Sequence, residues 1–468
     1  MQHTGDSDYV SLHCHSNYSF LDGIITPQQY AEECANRKIP AHALTEHGHM
    51  GSIAELYWQA KKYNVKSIAG CEIYYNDYEP ERQRLAAEGI KMTTKEWKLT
   101  HPVEYYRIVR NRHLTVLCKN QTGFHNLIKL TTEAYRDGSF GMGTTKYNRI
   151  WFDKLAKYKE GLIVLSGCLN GPVAHELRFT SHTNKEGEVV WERSKVQAFE
   201  AAAAYVKKFK DLFGEDYWIE LQMPGIPGDD VVFADLCQLA EDFKIKTALA
   251  NDCHYKTRED HIIQMVMMAI SQGVTVDSPD LFHVNSSEQY FKTRSELREY
   301  FQNNNYSNLV PLSTFESSCD NTLEIANRCD YINVPTDIKL PQFTDNDQKL
   351  AEICIRSLIR KGLHQVTKRY DVDGNNVTYL EQLKIELTRM QHKGFSSYFL
   401  VLEDIISYGR SKNAMFGPRG SGAGCLVCFL LGLSSMDPLK WGLSFDRFLS
   451  PSRGGYMLDI NMPEPVKG

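Results

Sequence analysis

Nine side chains able to bind divalent metals fall within the first 254 residues, most of them beside short apolar runs: His13, His15, Asp22, His47, Glu72, His113, Cys168, Asp252 and His254. Imidazole, thiolate and carboxylate are the ligand types that zinc, manganese and magnesium take. A hydrophobic core has little use for so many ionisable groups at the ends of strands. The fold must therefore gather many strand ends around one point, as the C-terminal rim of a β/α barrel does. Alternate residues of a strand share a face, so His13 and His15 point to one site, and so do Asp252 and His254. His113 departs from the pattern because it leads its apolar run instead of ending it.

The rest of the N-terminal half fits such a barrel. Strand-like runs occupy residues 9–13, 43–45, 67–73, 114–118, 162–166, 217–221 and 247–250, with amphipathic helical stretches such as 27–37, 53–63 and 195–213 between them. Seven alternations predict a barrel-like or doubly wound α/β domain over residues 1–275. The charged stretch 77–112 reads as an excursion between two units, and the polar stretch 180–194 as a loop or hairpin. Beyond residue 275 the strand pattern fades. Residues 276–345 read as a helical connector and 346–468 as a further domain, with helices expected at 286–301, 313–329, 348–363 and 379–393. A glycine-rich loop at 417–424, followed by a long apolar helix, closes the pattern.

Composition narrows the setting. No run of 18 apolar residues is present, so no membrane partner is expected. The N-terminus lacks the basic and apolar regions of a signal peptide. Twelve scattered cysteines suit a reducing cytoplasm, and the lone Cys425–Cys428 pair lacks the second pair of a zinc ribbon. Residues 351–468 carry 15 Lys and Arg against 11 Asp and Glu, leaving 38 against 47 in residues 1–350. The acidic portion suits metal binding, and the mildly basic portion is compatible with a polyanion.

Nine ligands exceed what one tetrahedral zinc needs, so two or three divalent metals (Zn, Mn or Mg) sharing carboxylates are expected. Such clusters activate water and clamp the oxygens of a phosphoester. The segments His13-Cys14-His15-Ser16, Asp22-Gly23, Leu44-Thr45-Glu46-His47-Gly48, Gly70-Cys71-Glu72, Ser166-Gly167-Cys168 and Asn251-Asp252-Cys253-His254-Tyr255 resemble the motifs of the polymerase-and-histidinol-phosphatase (PHP) domain. More narrowly, they resemble that domain at the N-terminus of the bacterial and phage DNA polymerase III alpha family. The resemblance implies a distorted (β/α)7 barrel. Because all nine positions are filled, it also implies a metal-dependent 3′–5′ exonuclease that proofreads. Glu46 stands where the family more often has Asp and is not among the nine ligands.

The C-terminal segment extends the resemblance to the palm of C-family polymerases. It runs through Gly394-Phe395-Ser396-Ser397-Tyr398, the loop from Gly417 to Cys425, Asp437-Pro438-Leu439 and Phe445-Asp446-Arg447-Phe448-Leu449. It implies a mostly helical, incomplete polymerase-beta-like palm, with Arg419, Gly420 and Ser421 binding a nucleotide and Asp459 as the first catalytic acid. The loop is one glycine shorter than the family's pattern, and Cys425 replaces its usual Ser. Asn461 occupies the second acid's position, and an amide is a poor magnesium ligand. The third acid, thumb and fingers are not in these 468 residues. Magnesium at the palm and DNA synthesis are therefore expected only if a separately encoded C-terminal half supplies them. The implied partners are DNA 3′ ends, primer-template and other replisome subunits, in a bacterial cytoplasm or a virus-infected cell. Two other readings stand beside this one. A small-molecule phosphoesterase would have no use for the glycine loop, and a non-catalytic half-subunit of a split polymerase would need the partner chain.

Overall fold

The computed structural model describes residues 8–92, 94–142, 145–178, 181–183, 189–279, 281, 286–334, 345–414, 417–418, 420–450 and 460–461. It divides into two compact units, Met1–Val334 and Pro335–Gly468.

The first unit is built on an eight-stranded sheet. Its strands are β1 (Ala41–Leu44), β2 (Lys66–Tyr75), β3 (Arg112–Cys118), β4 (Ser139–Met142), β5 (Thr145–Ile150), β6 (Leu162–Leu165), β9 (Tyr217–Leu221) and β10 (Thr247–Leu249), with a separate hairpin β7 (Ser181–Thr183) and β8 (Val189–Glu192). The path runs β10-β9-β6-β3-β2, with β1 also on β2. The sheet curls until its ends meet at residues 13–15. There the His15 amide donates to Cys253 O at 2.7 Å, Cys253 N to His13 O at 3.1 Å, and Thr45 N to Cys14 O at 2.9 Å. The ring thus has seven staves, as the distorted (β/α)7 expectation requires. The stave expected at 9–13 forms no regular strand. It makes one parallel bridge, Cys14 to Cys253, and the Val10 amide goes to the Thr322 hydroxyl instead of a neighbouring strand.

One stave runs backwards. β2 pairs in parallel with β1 and antiparallel with β3, and β3 is again antiparallel to β6. The cause is the 77–112 excursion, which forms helices Glu79–Ala87, Lys95–Thr100 and Pro102–Val109 and re-enters at the rim it left. The first residues of β3 therefore lie on the rim where the other staves end. That explains His113, which leads its strand and still faces the cluster. Buried Arg149 of β5 pins the excursion: its guanidinium donates to Glu79, to the Asn111 side chain, and to the carbonyls of Ile108 and Val109.

Helices Pro27–Asn36, Ile53–Tyr63, Lys195–Phe213 and Asp229–Phe243 pack around the barrel. Thr26 with Gln29 and Ser194 with Gln197 form capping boxes that fix two of their starts. The helix expected at 286–301 is Arg294–Asn303. Thr293 with Glu296 caps it there, and Tyr290 is drawn into a parallel bridge with Tyr255. Its Leu297 and Phe301, and Phe315 of helix Leu312–Arg328, are buried in the same core as the barrel strands.

The second unit has its own core, including Leu350, Leu358, Met390 and Phe399. Helices Asn346–Arg360, Tyr379–His392 and Ser396–Ser411 build it, with hairpin β11 (Tyr370–Val372) and β12 (Asn375–Val377). A short antiparallel pair joins β13 (Gly417–Pro418) to β14 (Ile460–Asn461). The helix after the glycine loop is short, Leu426–Leu431, because Gly432 takes a left-handed φ of 77° and ends it. No helix among the described residues is long and apolar enough to cross a membrane.

Replacing Arg149 by Met removes the donors that hold one buried and one half-buried carbonyl and a buried carboxylate. It is expected to destabilise the chain by about 3–5 kcal/mol in denaturant unfolding. Lys at this position, a point donor in place of a fork, is expected to recover less than half of that loss.

Candidate metal centre

The rim brings all nine side chains into one contiguous cluster. Glu72, in the middle of β2, is its hub. Its carboxylate lies 2.5 Å from His47 Nδ1, 2.8 Å from His113 Nδ1, 3.3 Å from His13 Nε2 and 3.6 Å from Cys168 Sγ. Asp252 Oδ1 lies 3.4 Å from His13 Nε2 and 3.2 Å from His15 Nε2. Asp22 Oδ2 lies 3.0 Å from His47 Nε2 and 3.6 Å from His254 Nε2. The imidazoles of His47 and His254 stack on that of His15, with ring centroids 3.9 and 4.5 Å away.

Local backbone constraints set these positions. Asp252 adopts a left-handed φ of 48°, which turns its carboxylate back over His13 and His15. Non-glycine residues are held there only where surroundings over-determine them, a pattern common at functional sites. Gly23 closes the loop that carries Asp22: a Cβ there would lie 2.2 Å from Ser16 O, so no other residue fits. Gln264, from helix His261–Gln272, donates to Asp22 at 2.8 Å and steadies it from the opposite side.

The site's electrostatics is that of packed opposite charges under a desolvation penalty. Burial works against charge on Glu72, yet His113 and His47 hold it well below the usual carboxylate range. Asp22 and Asp252 are lowered in the same way against burial, by His254 and by His13 respectively. Burial works against the charged form of His254 as well, but Asp22 and Asp252 raise it to about 9. His13 and His47 also stay well above the ordinary range against burial, through Glu220 and Glu72 respectively. His15 goes the other way, to about 4, through burial and then through His47 and His254. Burial and Glu72 push the Cys168 thiol up.

These residues fit divalent cations. His13 Nε2, His15 Nε2 and Asp252 Oδ1 are buried, converge on one spot and find no hydrogen-bond partner among the described residues. An unsatisfied buried polar atom is costly, and three aimed at one point call for a ligand. Five imidazoles, three carboxylates and one thiol are the donor set of zinc or manganese. The ligand triads His15–His47–His254, His13–His15–Glu72 and His47–Glu72–His113 each come close enough to share an ion. Cations at these points would replace the protons that now offset the carboxylates.

Sequence reasoning passed over Glu220. It lies fully buried in β9, accepts from Thr115 at 2.8 Å and Gln222 at 2.6 Å, and faces His13 Nδ1 at 2.6 Å. The signal was a lone acid inside the apolar run Tyr217-Trp218-Ile219-Glu220-Leu221.

In the second unit, Gly420 and Ser421 lie in a short 3-10 turn, Gly420–Gly424, and line a groove of about 470 Å³ with Ser444 and Arg447. Helix Leu426–Leu431 does not offer its N-terminus to that groove's occupant. The amides of Leu426 and Val427 donate to the buried Glu386 carboxylate at 3.0 and 2.9 Å. Arg419 and Asp459 lie outside the described residues.

The profile of the PHP domain matches residues 11–224, and that of the bacterial DNA polymerase III alpha NTPase domain matches residues 354–464. Proteins named DNA polymerase III subunit alpha are similar along almost the whole chain. That of Mycobacterium tuberculosis is 31% identical across 99% of this chain and 36% of its own length. That of Aquifex aeolicus is 28% identical across 98% and 36%, and that of Saccharopolyspora erythraea 30% across 95% and 35%. The chain spans about a third of the length of these relatives. It carries a PHP domain followed by a DNA polymerase III alpha NTPase domain and is similar, over the third that it spans, to DNA polymerase III alpha subunits.

Proposed function

We propose that the first unit is a metal-dependent 3′–5′ exonuclease acting on DNA ends, with His13, His15, Asp22, His47, Glu72, His113, Cys168, Asp252 and His254 as its ligands. The observation that carries this reading is the cluster itself: nine donors in contact, with three buried polar atoms aimed at one point. Relatedness to replicative polymerase subunits supports DNA over a small phosphate ester as the substrate.

Two or three bound cations (Zn, Mn or Mg) would supply Lewis-acid charge for a phosphodiester and make a water nucleophilic near neutral pH. The chain's own part is to hold and to orient. Glu72 and Asp252 each reach several imidazoles and are placed to bridge. His13 and His15 form the buried floor. Asp22, His47 and His113 keep 26%, 20% and 20% of their side chains exposed, so a phosphodiester approaches along that edge.

In the second unit we propose that Gly420, Ser421 and Arg419 line a nucleotide site. Phosphate contacts would come from the 420–424 turn, because Glu386 already takes the amides of the following helix. Asp459 would be the first acid. With Asn461 in place of the second, polymerisation is proposed only together with a chain that completes the palm, and the replisome partners are proposed on the same footing. The relatives come from bacteria, and we propose a cytoplasmic setting here.

Incubated with manganese or zinc, the purified chain is expected to shorten a 3′-mismatched primer, and chelation is expected to stop it. Glu72→Gln or Asp252→Asn is expected to cut the rate by more than about 100-fold, since even residues behind metal ligands cost about 10–100-fold. Faster turnover of a phosphate monoester than of DNA would favour a small-molecule phosphoesterase. No shortening by protein of verified metal content would remove the nuclease reading.

Metal uptake is expected to release protons. His13 and His47 are held above the ordinary range and His254 lies at about 9, so the metal-free cluster keeps these rings protonated at pH 7.5. A cation needs them neutral, so binding should expel about one or more protons per chain, and affinity should rise with pH toward 9. Calorimetry in buffers of different ionisation enthalpy checks this, and a value of zero contradicts it.

A further inference from the structure

Two buried carboxylates lie behind the cluster and not in it. Glu220 and Glu46 are fully buried, and among the described residues neither pairs with a lysine or arginine. A buried carboxylate costs several kcal/mol unless something offsets it. Glu220 lies directly behind one cluster histidine, and Glu46 behind another through a serine.

Glu220 Oε1 lies 2.6 Å from His13 Nδ1. An ionised carboxylate can only accept, so Nδ1 is the donor and carries a proton. Thr115 and Gln222 donate to the same carboxylate and fix its place. Nε2 of the ring then faces Glu72 and Asp252 at 3.3 and 3.4 Å with no hydrogen bond among the described residues.

His15 repeats the arrangement through one intermediary. Its Nδ1 lies 3.0 Å from Ser19 Oγ, whose own hydrogen goes to Glu46 Oε2 at 2.5 Å. The serine oxygen is thereby left as acceptor and His15 Nδ1 as donor. Ser16 holds Glu46 in place with its amide at 3.0 Å and its hydroxyl at 2.5 Å. Nε2 of His15 again has no hydrogen bond among the described residues, 3.2 Å from Asp252 Oδ1. His47 and His113 differ, because their Nδ1 atoms face Glu72 within the cluster.

In a neutral imidazole, the hydrogen bond at one nitrogen decides which nitrogen has a free lone pair. We infer that Glu220 and Glu46 are positioning residues: each fixes a proton on Nδ1 of a cluster histidine, His13 directly and His15 through Ser19, and so dedicates Nε2 of that ring to a divalent cation. The inference rests on the metal reading given above and does not depend on which ester is cleaved. It also gives Glu46 a role, as the carboxylate that reaches both serines of the 16–19 turn.

The test uses the full chain and manganese alone, with affinity read by calorimetry and stability by melting of the metal-free protein. Glu220→Gln keeps the shape and removes the charge. It is expected to weaken manganese binding about 10- to 100-fold while the metal-free melting temperature moves little. Glu46→Gln is expected to weaken it by about tenfold, and in a Ser19→Ala background to add no further loss, because the relay is already cut. Glu220→Asp is expected to recover part of the affinity that Glu220→Ala loses. Wild-type affinity in both glutamine variants would overturn the inference. So would losses that follow melting temperature across the series, or losses from Ser19 and Glu46 that simply add. A wild-type chain that takes up no manganese overturns the metal reading and this inference together. A chain that binds manganese but trims no DNA overturns only the nuclease reading.

Discussion

A carboxylate shut away from water stays ionised only if opposite charge or hydrogen-bond donors surround it, and Glu72 meets that condition at the centre of this structure. It is 1% exposed, and its oxygens lie against three imidazoles within 3.3 Å. It sits where β2 passes from its parallel partner β1 to its antiparallel partner β3. One residue thus receives His47 from the end of one neighbour and His113 from the start of the other. A strand of uniform direction in place of β3 would put position 113 at the far end of the barrel. The reversal depends on the 77–112 excursion, and the excursion on Arg149, so chemistry at the rim is tied to a polar knot well outside it.

The cluster is stable as a protein element only while its charges cancel. Raised histidines and lowered carboxylates describe a site in which opposite charges offset one another against burial. Metal ions would do the same work with more charge per site and with fixed directions. Three buried atoms of the cluster find no hydrogen-bond partner among the described residues, which supports the proposed binding site over a core that merely tolerates polar residues.

Much of this was legible in the sequence because ligand chemistry uses few residue types and strand ends are easy to place. The barrel staves β1, β2, β3, β6, β9 and β10 coincide closely with apolar runs, and the spacing in His13-Cys14-His15 and Asp252-Cys253-His254 already implied a shared face. What escaped had physical reasons. The direction of β3 is a property of its connection, so His113 looked misplaced. The stave near residue 14 pairs by a single bridge and carries no strand signature beyond its apolar residues. The hairpin of β4 and β5 joins the rim through only Tyr74 and Tyr75 and has little apolar pattern of its own. Glu220 sat inside an apolar run and was counted as part of it. The apolar stretch after the glycine loop suggested a long helix, but Gly432 stops it after six residues. The capping of that helix by Glu386, 40 residues upstream of Leu426, is a long-range contact that no local pattern encodes.

The central proposal is that Glu72, Asp252 and Asp22, with the five histidines and Cys168, would hold divalent cations. Anomalous diffraction from crystals of the chain grown with manganese tests it most directly. At least two anomalous peaks are expected inside the cluster, one of them within coordination distance of Nε2 of both His13 and His15. Crystals with full manganese occupancy elsewhere and no peak among these nine side chains would contradict it.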